Sequence, residues 1–153
     1  MQTNNSATNN CIINIGKPIF YFPIAELHDY FVFSVFFTFD LIALIIKGID
    51  DVKGQDIQLL DLREIENTVC DYFIICNGNS NTQVVAISNS IQKVVSKELK
   101  DKPWHVEGLE NGEWVLMDYV NIVVHVFQEH IREYYDLESL WGDAKITSIE
   151  SKY

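Results

Sequence analysis

Residues 70–100 read CDYFIICNGNSNTQVVAISNSIQKVVSKELK. Cys70 to Asn77 is dense in aromatic and branched apolar residues, the composition of a well-buried strand. Gly78 to Asn81 breaks that run, and Ser80 followed by Gln83 forms a capping-box pattern. Val84, Ile87, Ile91, Val94, Val95 and Leu99 then fall on one helical face, which predicts a long helix to about Lys100. A buried strand turning directly into an amphipathic helix is a unit of layered α/β architecture. What flanks it decides which kind.

Upstream, Leu41, Ile42, Leu44, Ile45, Ile49 and Val52 repeat at helical spacing behind Asp40, a suitable N-cap, predicting a first helix that ends near Gly54. Asp56 to Leu62 (DIQLLDL) reads as a short strand. Downstream, Pro103 stops the long helix and Trp104 to Val106 starts a strand. Glu113 to Asp118 and Asn121 to Phe127 read as two strands joined by a tight turn, and Glu129 to Trp141 as a short amphipathic helix. The order α-β-β-α-β-β-β-α predicts a single α/β domain of the α+β kind, a mixed sheet with flanking helices. No element is expected after Trp141.

The 153 residues, 48% hydrophobic and 22% charged, exclude a disordered or collagen-like chain. A domain of this size buries about 68–70% of its unfolded surface and needs no staples. Cys11, Cys70 and Cys76 are odd in number and lack C-x-x-C spacing, which argues against a disulfide framework or zinc site and for a reducing cytosol. Eleven basic against 22 acidic residues give a net charge of −11. Such a field repels phosphate backbones, so direct binding to DNA or RNA is not expected as the main energy source, and no direct DNA binding is expected. It suits a basic protein partner, or solubility alone.

Met1 to Asn10 is polar and Asn-rich, whereas Tyr30 to Phe39 (YFVFSVFFTF) carries no charge. A membrane span needs about 20 apolar residues, and Asp40 interrupts this run. Neither a basic n-region nor a small-residue cleavage site marks a secretory signal. Density of Phe, Val and Tyr favours strand over helix here. Residues 1–39 are expected to be an atypical, functionally inert extension, with an extra hairpin and a membrane contact as the alternatives.

Catalytic motifs are sparse. Gly78-Asn79-Ser80 precedes a helix N-terminus that could hold a phosphate, but no Lys or Arg follows before Lys93. Asp61-Leu62-Arg63 has a base where a two-carboxylate metal clamp would need an acid. His28, His105, His125 and His130 show no i, i+4 metal pair, and His125, in an alternating strand, reads as a structural histidine. No catalytic set, metal site or cofactor is expected. Acids and aromatics crowd the second half of the chain, either as a protein-recognition face or as solvated acids around aromatic core.

Several strings resemble the Iojap/RsfS family, the ribosomal silencing factors: Asp50 to Ile57 (DDVKGQDI), Cys70 to Cys76, Gly78-Asn79-Ser80, Val106-Glu107-Gly108, Trp114 to Tyr119 (WVLMDY), Val123 to Phe127 (VVHVF) and Arg132 to Trp141 (REYYDLESLW). They occur in the family's order between about Leu41 and Ala144. The resemblance implies a domain at 40–146, with a tail at 147–153, related to the nucleotidyltransferase fold but not known for catalysis. It implies a cytoplasmic, non-enzymatic repressor that docks on the large ribosomal subunit. The resemblance further implies that the docking partner is a basic ribosomal protein at the subunit interface, the fourteenth of the large-subunit series, and that docking obstructs joining of the small subunit when nutrients are scarce. Residues 41–153 hold ten basic and nineteen acidic side chains, so the acidic field belongs to the family-like part.

On that reading the contact candidates are Asp71, Tyr72, Trp114, Leu116, Asp118, Tyr135 and Trp141. Trp114 is the apolar anchor, Asp71 and Asp118 the partners for Lys or Arg, and Tyr72 and Tyr135 supporting surface. Strand alternation puts Trp114, Leu116 and Asp118 on one side, an arrangement that equally permits a core Trp114. Where the family commonly has Gly in its hairpin, this chain has Val120, and a β-branched residue resists positive φ, so Asn121 is expected to take the left-handed position. The competing function is a degenerate nucleotidyltransferase that binds a nucleotide at Gly78 to Thr82. A homodimer is left open.

Overall fold

Two parallel strands form the centre of the sheet. The computed structural model describes residues 10–13, 20–23 and 27–151, with side chains from residue 34 onward. Strand β4 (Tyr72–Gly78) is buried along its whole length, and β7 (Ile122–Gln128) is buried except at Gln128. They pair in register from Tyr72↔Ile122 to Gly78↔Gln128. Their near-continuous apolar runs are what a strand covered on both faces requires. A parallel pair cannot be closed by a hairpin, and here the crossover runs through helix α2 (Asn81–Leu99), β5 (His105–Glu107) and β6 (Trp114–Asp118).

With β3 (Gln55–Asp61) and β8 (Lys145–Ile149) the sheet has six strands in the order β5-β6-β7-β4-β3-β8. Every pairing except β4–β7 is antiparallel. The expected mixed sheet with flanking helices is the observed architecture.

The capping box forms as the sequence predicts. Ser80 is extended, its hydroxyl accepts from the Gln83 amide at 3.1 Å, and the Asn79 amide donates to Gln83 Oε1 at 2.8 Å. Lys100, at φ +55°, ends α2. Val84, Ile87, Ile91 and Val95 are its buried stripe. Helix α1 (Leu27–Asp51) lies so close to α2 that a Cβ at Gly48 would sit 2.7 Å from Ile91 Cα, which leaves room only for glycine.

Four expectations need correction. Asp40 is not an N-cap, because α1 is already helical from Leu27 and takes in the whole Tyr30 to Phe39 run. Once Leu41, Ile42, Ile45 and Ile49 are buried, each residue added to the helix costs little, and elongation overrides local strand preference. The helix expected over Glu129 to Trp141 is two, α3 (Glu129–Tyr135) and α4 (Leu137–Leu140), split by Asp136 at φ +43°. Lys145–Ile149 is a strand on β3, although four of its five side chains are exposed and no apolar periodicity announces it. At the hairpin, Val120 and not Asn121 has positive φ, +77°.

The chain divides into two units, residues 1–39 and 40–153. In the first, β1 (Asn10–Ile13) and β2 (Phe20–Pro23) pair antiparallel.

Val120 is forced into its conformation by its neighbours. Asp118 Oδ1 accepts from the Val120 amide at 2.7 Å, and the Asn121 amide donates to Tyr119 O at 3.0 Å, closing a three-residue turn centred on Val120. Such turns with a positive central φ are rare and strained. Val120→Gly is therefore expected to stabilise the fold by about 1 kcal/mol, read as a higher urea midpoint with unchanged slope. A lower midpoint would show that the valine side chain contributes more than the strain costs.

Candidate functional site

Strand alternation gives the sheet two different faces. Ile74 and Cys76 of β4, with Val124 and Val126 of β7, point toward α2. Leu60, Phe73, Ile75, Val123 and Phe127 form the opposite face, with Leu62 and Cys70 in the same cluster. Ile131, Leu137 and Trp141 pack against this second cluster, so α3, α4 and the segment after them cover part of it. Trp114 and Leu116 on β6 complete it and remain half-buried.

The ring geometry is dense. Trp114 stacks on Phe127 with centroids 4.9 Å apart and planes 25° apart, and the Tyr135 ring lies 5.0 Å away. Trp114 Nε1 donates to His125 Nδ1 at 3.2 Å. Phe73 meets His125 edge-on at 4.8 Å and Trp141 edge-on at 5.4 Å. His125 is 5% exposed, and burial pushes its pKa down to about 4, so the imidazole is neutral at ordinary pH.

Arg132 clips α3 and α4 to the sheet. Its Nη1 donates to Asp56 O at 2.7 Å and Asn77 Oδ1 at 2.6 Å, while Nε and Nη2 each meet Glu138 Oε1 at 2.7 Å. Around it is a cleft of about 380 Å³ bearing Asp56, Glu129, Glu133, Asp136 and Glu138. Five carboxylates against one guanidinium leave this end of the face acidic.

The seven contact candidates divide. Trp114, Leu116 and Asp118 share one face of β6, partly exposed, about 7 Å apart along the strand. Tyr135, half exposed, lies against Trp114, and Trp141 reaches the same cluster through Phe73. Asp71 is exposed just before β4, and its amide donates to Asn121 O, which brings it to the Asp118 end. Tyr72 does not join them: it alternates to the other face, is 4% exposed, and has the Arg63 guanidinium 5.0 Å from its ring. Asp118 has a second task, since one carboxylate oxygen holds the Val120 turn. Sequence reasoning passed over Arg132 and the indole–imidazole bond. Strand alternation was the one available signal for the latter, because it puts His125 on the same face as Phe127.

The phosphate-loop reading finds little here. The amides of Asn79, Thr82, Gln83 and Val84 all donate to acceptors within the protein. Asp61 is held by Arg63 at 2.6 Å, which keeps its carboxyl below the usual range. Among the described residues no group of three or more His, Cys, Asp or Glu is placed to hold a metal ion. Cys70 and Cys76 are buried thiols, each pushed up to about 12 by desolvation, and act as packing residues. No described helix is long and apolar enough to cross a membrane.

The family model "Ribosomal silencing factor during starvation" matches residues 38–152. The chain belongs to the ribosomal silencing factor family. It is 40% identical over 114 residues to the ribosomal silencing factor of Halalkalibacterium halodurans, covering 72% of this chain and 93% of the relative. The corresponding Bacillus subtilis protein is 44% identical over 101 residues, 66% of this chain and 84% of its own. A crystal structure from Chromobacterium violaceum superposes with a TM-score of 0.63 at 38% identity, covering 74% and 93% of the two chains. Within the family fold, the β6 face described above belongs to the matched region.

The buried imidazole yields a pH prediction. Folded His125 takes up a proton less readily than the unfolded residue, whose pKa is near 6.5. Its contribution to stability is therefore complete above about pH 6.5 and is lost as pH falls toward 4, by about 2–3 kcal/mol. Urea unfolding at pH 7 and pH 4.5 should show a larger acid loss in the parent than in His125→Leu. Equal losses would mean that His125 is solvated when charged.

Proposed function

We propose that this chain docks on a basic protein of the large ribosomal subunit through the Trp114–Leu116–Asp118 face, and that the docked domain obstructs joining of the small subunit. Family membership supports a ribosome-associated silencing role. The observation that supports this face is the half-burial of all three alternating residues on β6. One strand thereby offers an indole, an aliphatic side chain and a carboxylate in a row beside the exposed ring of Tyr135. Aromatic anchors ringed by complementary charge are the usual make-up of a high-energy contact. Acidic charge draws in a basic partner and is repelled by neighbouring rRNA, so electrostatics selects the orientation of approach. Asp71, at the same end as Asp118, adds to that field; Tyr72, being buried, is not included in the face. The protein acts as a cytoplasmic binding factor without catalysis.

Two variants test the face against purified large subunits by co-sedimentation, with circular dichroism checking that each is folded. Asp118→Asn keeps an acceptor for the Val120 turn and removes the charge. It should retain the parent's melting temperature and weaken docking several-fold, more at low than at high salt. Trp114→Ala should cost on the order of 2 kcal/mol of docking energy, about 30-fold, while the domain stays folded at the assay temperature. Folded variants that bind like the parent and still prevent subunit joining would move the docking face elsewhere.

A further inference from the structure

We infer that His125 is a positioning residue for docking: its Nδ1 accepts the Trp114 indole N–H and thereby fixes the plane and tilt of the ring that the partner meets. This rests on the reading of Trp114 as the docking anchor. The register pairs Trp114 with Phe127 and Leu116 with His125, so Trp114 and His125 are diagonal neighbours on one face of the β6–β7 pair. The 3.2 Å bond joins them there. Phe73, edge-on at 4.8 Å, and Phe127, nearly parallel at 6.1 Å, hold the imidazole in turn.

An indole nitrogen only donates, so Nδ1 is the acceptor and the imidazole proton is on Nε2. That Nε2–H is buried and has no acceptor among the described residues. A buried donor without a partner is unfavourable, and a leucine of similar volume would not carry that penalty. Stability therefore does not account for a histidine at this position. Its distinctive contribution is the acceptor it offers to Trp114. Without that bond the ring keeps its stacking on Phe127 and Tyr135, contacts that tolerate sliding and tilting, whereas a hydrogen bond defines one orientation. A ring fixed in advance loses less conformational freedom when the partner closes over it.

The test compares the parent with His125→Leu, His125→Asn and Trp114→Ala at pH 7. Three quantities are read: the melting temperature, hydrogen exchange of the Trp114 indole N–H by NMR (assigned by its loss in Trp114→Ala), and co-sedimentation with purified large subunits. His125→Leu should melt at or above the parent, exchange the indole proton at least about tenfold faster, and dock about tenfold more weakly. In His125→Asn, Oδ1 falls near the place of Nδ1, so slow exchange and most of the docking should return. A lowered melting temperature with unchanged indole exchange in His125→Leu would assign the histidine to packing and overturn the inference. If His125→Leu does not fold, His125→Asn decides: parent-like exchange and docking support the role, and loss of both overturns it. If Trp114→Ala weakens docking while His125→Leu docks like the parent, the inference alone fails. If Trp114→Ala itself docks normally, the docking face is wrong and the inference falls with it.

Discussion

The parallel register of β4 and β7 sets Phe73 beside Val123 and Ile75 beside His125, and the aromatic face is built on it. Side chains alternate with a period of two, so a slip of one residue would turn His125 and Phe127 toward α2 and bring Val124 and Val126 to the face that carries Trp114. The register is held from both sides. Ile74, Cys76, Val124 and Val126 are fully buried beneath the α2 stripe, and the Phe73–Ile75–Phe127 cluster fills the opposite side. Because parallel strands cannot share a short turn, the chain must travel through α2 and the β5–β6 ribbon between them. That detour is what delivers β6 to the outer side of β7.

Arg132 determines how much of the aromatic face is covered. Its guanidinium reaches a backbone carbonyl of β3, a side chain of β4 and Glu138 of α4, so three elements meet on one cation that is 11% exposed at its side chain. Glu138 is six residues on, and in an unbroken helix positions i and i+6 do not share a side. The left-handed Asp136 supplies the bend, and its carboxylate accepts from the Ser139 amide to start the next turn. The same bend keeps α3 and α4 from running on across the sheet. Trp114 and Leu116 on β6 stay half-open.

Legibility in the sequence followed the amount of burial. β4, β7 and α2 could be read within a residue or two, because period and composition are strongest where packing is tightest. β8 could not: as an edge strand with exposed side chains it carries no hydrophobic pattern, and only backbone pairing with β3 defines it. The start of α1 was hidden by residues that favour strands in isolation and become helical by extension from a buried face. Val120 shows a different limit. The valine's own sterics oppose positive φ, yet the Asp118 carboxylate and the strand pairing at either side fix the turn, and the hairpin's requirement prevailed. In the candidate site, alternation correctly put Trp114, Leu116 and Asp118 together. Alternation could not reveal that Tyr72 is buried beside Arg63, or that a histidine on the next strand holds the indole.

Two departures from local optimality sit on the same hairpin, and both bear on the proposed docking. Val120 is held in a strained turn by Asp118, and the His125 Nε2–H is buried without an acceptor among the described residues. A domain selected for stability alone would relieve each with a glycine and a leucine. In each case the partner in the contact is a candidate docking residue: Asp118, whose carboxylate the turn orients, and Trp114, whose ring the imidazole orients. Strain and unpaired polar groups persist where surrounding structure over-determines them, and they concentrate where geometry must be set before a ligand arrives. Association is opposed by the ordering of side chains at the contact, so a face whose charge and aromatic ring are already fixed keeps more of its contact energy as affinity. The same rigidity restricts the face to partners that match it, which suits the docking proposed above, on a basic protein set among RNA.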